Sequence, residues 1–449
     1  MITQEDEKEN FTRLILFISM RNSNSNISLS RRKFLEVTSA IAGTSVLASS
    51  MPWVSAFDNP APAGNNASDR VRVGFIGVGN WGDTLLRNMQ AVAEYMNVEI
   101  AAVCDNYEPH YEKAIEMTNG EAAAFMDYRE MFDQVELDAV VIATPLHKHA
   151  QHTLDAFDRG LHVFCEKAMA RTIEDTKRMY DAHLEQDKVL LIGHQRIYSP
   201  VYIDAIEKIR RGALGPITMM KGHWHRNTDW IHYDVEPESE LDRKLNWRLY
   251  RETSGGMITE LATHHIQVAN WVLDSQPVSV KGHGSINFWK DHREVWDNFG
   301  LVFQYPDGTH FTYDVLHSNA HNGVQIQALG NKGTLDLEVN KIYQEDPPPP
   351  PAIRRMLSEI ESNLFETVPI GGATWVPPEP VDHGGEFISE EWEMNESQLY
   401  LEAFIEFVRK GSAPEELTKH GYNSSVWALL AEESTYSGQK ETLPEDYYI

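Results

Sequence analysis

The sequence predicts an α/β protein whose N-terminal part is a doubly wound parallel sheet and whose second part is a separate domain of successive strands. Three observations carry this. A β-rich run, Val71 to Ile76, enters Gly77-Val78-Gly79-Asn80-Trp81-Gly82 and then a helical pattern from Asp83 to Tyr95. Apolar strand-like runs then alternate with helical segments as far as Gly193, as βαβ units require. From Ile217 onward the alternation stops, and strand-like runs follow one another across turn signals.

The size agrees. A chain of 449 residues with 42% hydrophobic residues can bury sizeable cores and predicts two or three domains. Its 67 acidic against 39 basic residues give a net charge of −28, which lacks the cationic surface that nucleic-acid backbones attract and disfavours such a partner. The two cysteines, Cys104 and Cys165, both lie in apolar strand runs and read as buried small hydrophobes. A disulfide framework and a cysteine-ligated structural zinc site are thereby excluded.

Residues 1–56 read as an address. Ser30-Arg31-Arg32-Lys33-Phe34-Leu35 precedes an apolar run from Ala40 to Ala48 and then Val54-Ser55-Ala56, which resembles a twin-arginine export signal with its cleavage site. The run is too short to span a bilayer, so no stable membrane insertion is expected. A second apolar patch, Leu14 to Met20, belongs to an upstream extension in which Met20 is an alternative start. The resemblance implies export, already folded, to the periplasm or beyond by the twin-arginine machinery, and hence a cofactor inserted beforehand. Residues 57–70, rich in Pro, Ala, Gly and Asn, read as a tether.

The first strand, glycine turn and helix have the order a dinucleotide site needs. Gly77 permits the tight turn, Gly79 lets the backbone approach a pyrophosphate, and Gly82 allows close packing of helix on strand. The next strand, Val98 to Cys104, ends in Asp105, whose carboxylate accepts from a ribose 2′-hydroxyl and repels a 2′-phosphate. NAD is favoured over NADP. Leu137 to Ala143 is a further buried strand ending at Thr144-Pro145, followed by a helix from His149 to Arg159 stopped by Gly160. Strand His162 to Cys165 carries Glu166-Lys167, and a helix near Ile173 to Glu185 leads to a strand at Val189 to Gly193.

With these motifs, together with Ala143-Thr144-Pro145-Leu146-His147-Lys148-His149, Cys165-Glu166-Lys167, Gly193-His194-Gln195-Arg196 and Ser254-Gly255-Gly256 through Glu260 to His264, the chain resembles the Gfo/Idh/MocA family of sugar and inositol dehydrogenases. The resemblance implies a Rossmann domain over residues 71–195, an α+β substrate domain on an open, mostly antiparallel sheet over 196–390, and closing helices over 391–449 that pack back on the cofactor domain. It implies cofactor contacts from Gly77, Gly79, Asn80, Trp81, Gly82, Asp105, Thr144, Pro145, His147, His149, Glu166, Lys167 and Gln195. Substrate contacts are expected from Arg196, Tyr198, His225, Trp247 and His265, and self-association through the sheet's exposed face. The strand-like runs Ile217 to His225, Val278 to Phe288, Phe299 to Tyr305, His310 to Leu316 and Val324 to Leu337 agree with the sheet. Two positions depart from the family pattern: Ala168 stands where a proline follows the lysine, and Glu260 stands where many members have aspartate.

Gly255-Gly256 precede a helical pattern from Met257 to Leu273, and residues four apart on a helix share a face, so Glu260 and His264 are expected to project together. Oxidising a sugar carbinol needs a base for the hydroxyl proton and a cation for the developing alkoxide. His264 is assigned as the proton acceptor, Lys167 as the donor that steers the oxygen, and Glu260 as a hydroxyl clamp or partner of Lys167; the inverse, with neutral Lys167 as base, stays open. His223-Trp224-His225 supplies two ligands at most, and no metal site is expected. Trp230, Tyr233, Trp247, Tyr250 and Trp289 are candidates to stack on pyranose faces or to fill the sheet core, and Pro347 to Pro351 reads as an extended loop.

Export shapes the functional expectation. Outside the cytoplasm no soluble NAD pool replenishes the enzyme, so the reading is an oxidoreductase acting on a sugar, glycoside or polyol with a tightly held NAD(H). The alternatives are an NAD-dependent glycosidase that oxidises, eliminates, adds water and re-reduces, and a non-catalytic sugar binder.

Overall fold

The computed structural model describes residues 69–345, Met356, 384–390 and 395–449. The export signal, most of the tether and the proline run lie outside the described residues.

The first domain is built on six parallel strands: β1 (Val71–Ile76), β2 (Val98–Cys104), β3 (Ala123–Phe125), β4 (Ala139–Ile142), β5 (His162–Cys165) and β6 (Leu190–Ile192), in the spatial order 3-2-1-4-5-6. Helices α1 (Asn80–Ala93), α2 (Glu108–Met117), α3 (Tyr128–Gln134), α4 (His149–Asp158) and α5 (Ile173–Gln186) connect them. Every residue of β4 is buried, because a parallel sheet is covered on both faces. Gly160 ends α4's turn at φ +70°, and Thr172 caps α5 by accepting from the Asp175 amide. The short strand β3 and helices α2 and α3 carry too few apolar residues to stand out in the sequence. The strand order reverses between β1 and β4, which opens a crevice beyond the carboxyl ends of those strands.

After helix α6 (Pro200–Arg210), the second domain is an eight-stranded sheet: β7 (Ile217–His225), β8 (Ser279–Ser285), β9 (Asn298–Gln304), β10 (His310–Leu316), β11 (Val324–Gly330), β12 (Gly333–Asp336), β13 (Lys341–Gln344) and β14 (Glu386–Phe387). The order is 14-13-12-11-7-10-9-8, and of these pairings only β7 with β10 is parallel. The strand-like run from Val324 to Leu337 is a hairpin, turned at Asn331-Lys332 between β11 and β12. One sheet face, with Met220, Phe303, Phe311, Tyr313, Val315 and Ile326, is buried; Lys281, His283, Gln304, His310 and Asp314 line the exposed face.

Helix α7 (Glu240–Leu245) lies in the loop after β7, and α8 (Thr263–Leu273) packs on the buried sheet face. Helix α9 (Glu396–Lys410) packs on α1, and α10 (Glu415–Ser437) spans both sheets. Thr418 of α10 donates to the Leu190 carbonyl (2.7 Å) and Ser425 accepts from the Met169 amide (2.8 Å), while Ser434 accepts from the Gly282 amide in β8 (3.0 Å). Gly421 fits against Ile192 where a Cβ would come within 2.5 Å. The apolar face of α10, with Trp427 fully buried, therefore ties the two domains into one unit; burying each such large side chain contributes roughly 1.5–3 kcal/mol. Both cysteines are free and buried.

Candidate active site

The residues that follow β1, β2, β4 and β5 meet at the crevice. Gly77 adopts φ +85°, and a Cβ there would lie 2.8 Å from the Ala143 carbonyl oxygen; one on Gly82 would lie 2.1 Å from the Gly77 oxygen. Only glycine fits at either position, and α1 starts at Asn80, so its free N–H groups face the crevice. Asp105 accepts from the Val78 amide (2.9 Å) and the Tyr107 amide (2.9 Å), which fixes its carboxylate at the lip of the glycine turn with one Oδ1 lone pair free for a ribose hydroxyl. This cradle fits a nicotinamide dinucleotide.

A part of the second domain closes over the cradle. The Tyr233 hydroxyl lies 2.6 Å from His110 Nε2 and 3.4 Å from Asn80 Oδ1, and His110 Nδ1 lies 3.3 Å from Asp105 Oδ2. Asn246 holds the strap by accepting from the His232 and Tyr233 amides and donating to the Tyr233 carbonyl. Lys244 donates to the Asn106 carbonyl (2.6 Å). Tyr233, a stacking candidate in the sequence, thus meets the cofactor domain.

Lys167, Glu260 and His264 gather beside this cradle. The Lys167 ammonium donates to the Glu260 carbonyl oxygen at 3.0 Å and stands 4.0 Å from the Glu260 carboxylate. That carboxylate is paired with Arg248 Nε at 3.2 Å, and the Arg248 guanidinium stacks on Trp247 at 4.2 Å. The Lys167–Ala168 peptide is cis. Glu260 and His264 do not belong to one regular α-helix: Ile258–Ala262 is a π-helical turn and the α-helix begins at Thr263. Thr259 bonds back to the Gly255 amide and the Gly256 carbonyl, anchoring that turn. Such wider turns recur at functional sites because they rotate side chains out of the ordinary helical register.

His264 is buried between His194 and Trp224, with ring centroids 5.9 and 6.0 Å away. Burial, reinforced by the Lys167 and Arg196 charges and by His194 and His265, holds its imidazole pKa well below the ordinary 6.5, so the ring is neutral at physiological pH. His264 Nδ1, Glu260 Oε1 and Trp224 Nε1 are buried with no hydrogen-bond partner among the described residues. Unpartnered buried polar atoms are costly, and two of these, on Glu260 and His264, belong to side chains that interact with Lys167.

The remaining predicted residues divide. Thr144, Pro145, His147 and Gln195 border the crevice and are half-buried. His149 is buried with Nδ1 3.0 Å from the Ala168 carbonyl and Nε2 2.9 Å from the Thr144 carbonyl, so it props the two loops that flank the crevice and faces no ligand. Glu166 is buried against Trp81, Gly193 and Tyr400; burial raises its carboxyl pKa, opposed by Lys167. Arg196 is buried and committed to Glu338 (2.5 Å) and Tyr202 (2.9 Å). His265, fully buried, lies 3.5 Å from the same Glu338, and burial pushes its pKa down to about 4. Burial alone would raise the Glu338 carboxyl, but Arg196 outweighs it and holds it far below the usual range. Arg196, His265 and Tyr198 are thus buried side chains beside the cluster, with Arg196 and His265 directed at Glu338.

His225 is not brought to the site. Successive strand residues point to opposite faces, and Trp224 takes the inward one, so His225 Nε2 lies 2.5 Å from Asp314 Oδ2 on the outer face. Tyr250 is core, bonded to Asp242. Sequence reasoning missed Arg248, Glu338, His110 and the inward role of Trp224. Alternation along β7 could have separated Trp224 from its flanking histidines, but nothing in the sequence says which face is inward.

Residues 71–194 match the NAD-binding Rossmann fold of the GFO/IDH/MocA oxidoreductase family, and residues 202–336 match the family's C-terminal domain. The chain belongs to this family. Among curated relatives, a levoglucosan dehydrogenase of Pseudarthrobacter phenanthrenivorans is 33% identical over 148 residues, covering 33% of this chain and 36% of that protein. A glycosyl hydrolase family 109 protein of Shewanella sp. (strain ANA-3) is 27% identical over 41% of this chain and 40% of its own length. These alignments therefore span well under half of either relative. A solved levoglucosan dehydrogenase, in complex with NADH and levoglucosan, shares the fold at a TM-score of 0.63 and 20% identity over 84% of this chain and 100% of that one. The doubly wound domain and the mostly antiparallel sheet are thus those of the GFO/IDH/MocA fold.

Proposed function

We propose that this protein is an exported oxidoreductase that interconverts a carbinol and a carbonyl on a sugar, glycoside or polyol, using a nicotinamide dinucleotide that stays bound between turnovers. The observation that carries the reading is the convergence of the Lys167 ammonium, the unpartnered His264 Nδ1 and the unpartnered Glu260 Oε1 beside a glycine cradle with Asp105 at its lip. Gly77, Gly82 and Asp105 would hold the dinucleotide, and its nicotinamide would supply hydride transfer between carbinol and carbonyl. His264, neutral because it is buried, takes the hydroxyl proton as that hydride leaves. Lys167, held by the Glu260 carbonyl, donates to the oxygen and offsets its developing charge. Glu260, with Arg248 on one carboxylate oxygen, leaves the other to accept from a neighbouring hydroxyl.

Retention of the cofactor is supported by the Tyr233 strap, whose bonds to His110 and Asn80 have to break before a dinucleotide leaves the glycine turn. Export is supported by the Ser30-Arg31-Arg32-Lys33-Phe34-Leu35 pattern. Together they favour a cycle in which one sugar is oxidised and a second carbonyl compound is reduced on the same cofactor. Self-association through the outer sheet face is part of this reading, supported by Val302 exposed on that face. The glycosyl hydrolase family 109 relative favours a second cycle: oxidation, elimination of the aglycone, water addition and re-reduction.

The test is to incubate the purified protein with a panel of sugars and glycosides and follow the reduced-nicotinamide band and aglycone release. Reduction by a sugar, reversed by a carbonyl acceptor and abolished in His264→Ala, is the expected result. Aglycone release without net redox change transfers the protein to the second cycle, and a protein that binds sugar without either change is a binder.

A further inference from the structure

Among the described residues, fifteen arginines have a carboxylate oxygen within 4.0 Å, and Arg226 is the one that has none. In a chain with 67 acidic and 39 basic residues, a lone guanidinium is conspicuous. Its position is more so. Arg226 follows directly on β7, its amide fixed by the Leu316 carbonyl at 2.8 Å, and its guanidinium lies 5.1 Å from the centroid of the Trp224 indole. The same indole lies 6.0 Å from the His264 ring. The unpaired cation and the proposed proton acceptor thus share one aromatic neighbour. A second observation concerns charge. Lys167 and Arg248 both face the carboxylate of Glu260, and Lys167 also faces the buried Glu166, so these carboxylates are already engaged and none is left for Arg226.

We propose that the substrate is an acidic sugar whose carboxylate is taken by Arg226 while the reacting carbinol lies against Lys167 and His264. This rests on the proposed oxidoreductase reading and names its substrate class. A guanidinium stacked on an indole keeps its N–H edge free and oriented, which is the geometry that receives a carboxylate through two parallel hydrogen bonds. The indole covers apolar C–H groups of the sugar ring, and its unpartnered Nε1 supplies one more donor. Arg226, with no carboxylate of its own, attracts an anion that the overall charge of −28 would repel, so a neutral hexose gains nothing comparable at the same site.

The experiment compares matched pairs, glucuronate with glucose and galacturonate with galactose, with the holoprotein as purified and with Arg226→Gln and Arg226→Lys. Turnover is followed by the nicotinamide band, and binding independently by calorimetry. The wild type is expected to prefer the acid of at least one pair by about tenfold to a hundredfold in kcat/KM or Kd, the range of a charge-assisted hydrogen bond. Arg226→Gln lowers that ratio at least tenfold, mainly through KM, and Arg226→Lys restores part of it. Equal or better use of the neutral sugars by the wild type, or an acid-to-neutral ratio unchanged in Arg226→Gln, overturns the proposal. If no sugar is turned over, the oxidoreductase reading fails, but the calorimetric ratio still decides the role of Arg226.

Discussion

The ammonium of Lys167 is tied to the main chain of Glu260, 3.0 Å from its carbonyl oxygen, while the Glu260 carboxylate stands 4.0 Å away and is paired with Arg248. The lysine is therefore positioned by backbone that the π-helical turn fixes, and the carboxylate, held by Arg248 through Oε2, leaves only Oε1 without a partner. Lys167→Met removes the oxygen-steering cation and is expected to lower kcat by about 10²–10⁴-fold, with a smaller change in KM. Steady-state rates on a turned-over sugar check this; a change confined to KM contradicts it.

The environment of His264 sets the pH profile. A base that must be neutral loses activity as pH falls through its own pKa, and burial beside Lys167 and Arg196 holds that value well below 6.5. The profile of kcat/KM is expected to stay flat from neutral pH through 6.5 and to fall only in more acidic solution. A rate that keeps rising through alkaline pH would instead assign the base to Lys167.

Stability is expected to respond to acid through His265. Unfolded, its imidazole titrates near 6.5; folded, burial holds it to about 4, so between these values the unfolded chain binds more protons. Its contribution is full above pH 6.5 and lost as pH falls toward 4. Urea unfolding of His265→Gln should show a pH slope shallower by up to one proton over that window, and an unchanged slope refutes the assignment.

Asp105 is expected to select the cofactor. Asp105→Asn keeps an acceptor for only one of the Val78 and Tyr107 amides, which bond different carboxylate oxygens, and removes the charge that repels a 2′-phosphate. The ratio of NAD to NADP affinity should fall by about tenfold or more, the scale of one charged hydrogen bond. Fluorescence titration of the reduced cofactors measures it.

The strap makes a kinetic prediction. Tyr233→Phe deletes the hydroxyl shared by His110 and Asn80 and should speed dissociation of the reduced cofactor several-fold, by roughly the 0.5–1.5 kcal/mol of one hydrogen bond. Stopped-flow release into excess oxidised cofactor reads it, and an unchanged off-rate removes the strap from cofactor retention.

What the sequence made legible follows from range. The strand, glycine turn and helix around Gly77 to Gly82 are local, so their order and spacing carried over directly into the crevice. Lys167 and Asp105 were legible for the same reason, since each ends a strand that hydrophobic pattern announces. The element that carries Glu260 and His264 was read as one regular α-helix because a π-helical turn leaves the same apolar pattern. His225 was misassigned because alternation along β7 is visible but its inward face depends on helix α8, far along the chain. Arg248, His110 and Arg226 act across domain and sheet contacts that no local pattern encodes.

The account depends most on a dinucleotide that remains with the chain beside Lys167 and His264. The direct measurement is the absorbance spectrum and nucleotide content of the protein purified without added cofactor, before and after a sugar is supplied. The account predicts close to one nicotinamide dinucleotide per chain and growth of the reduced band on adding a substrate sugar. Protein that emerges empty and takes up no dinucleotide when offered it would contradict the account at its root.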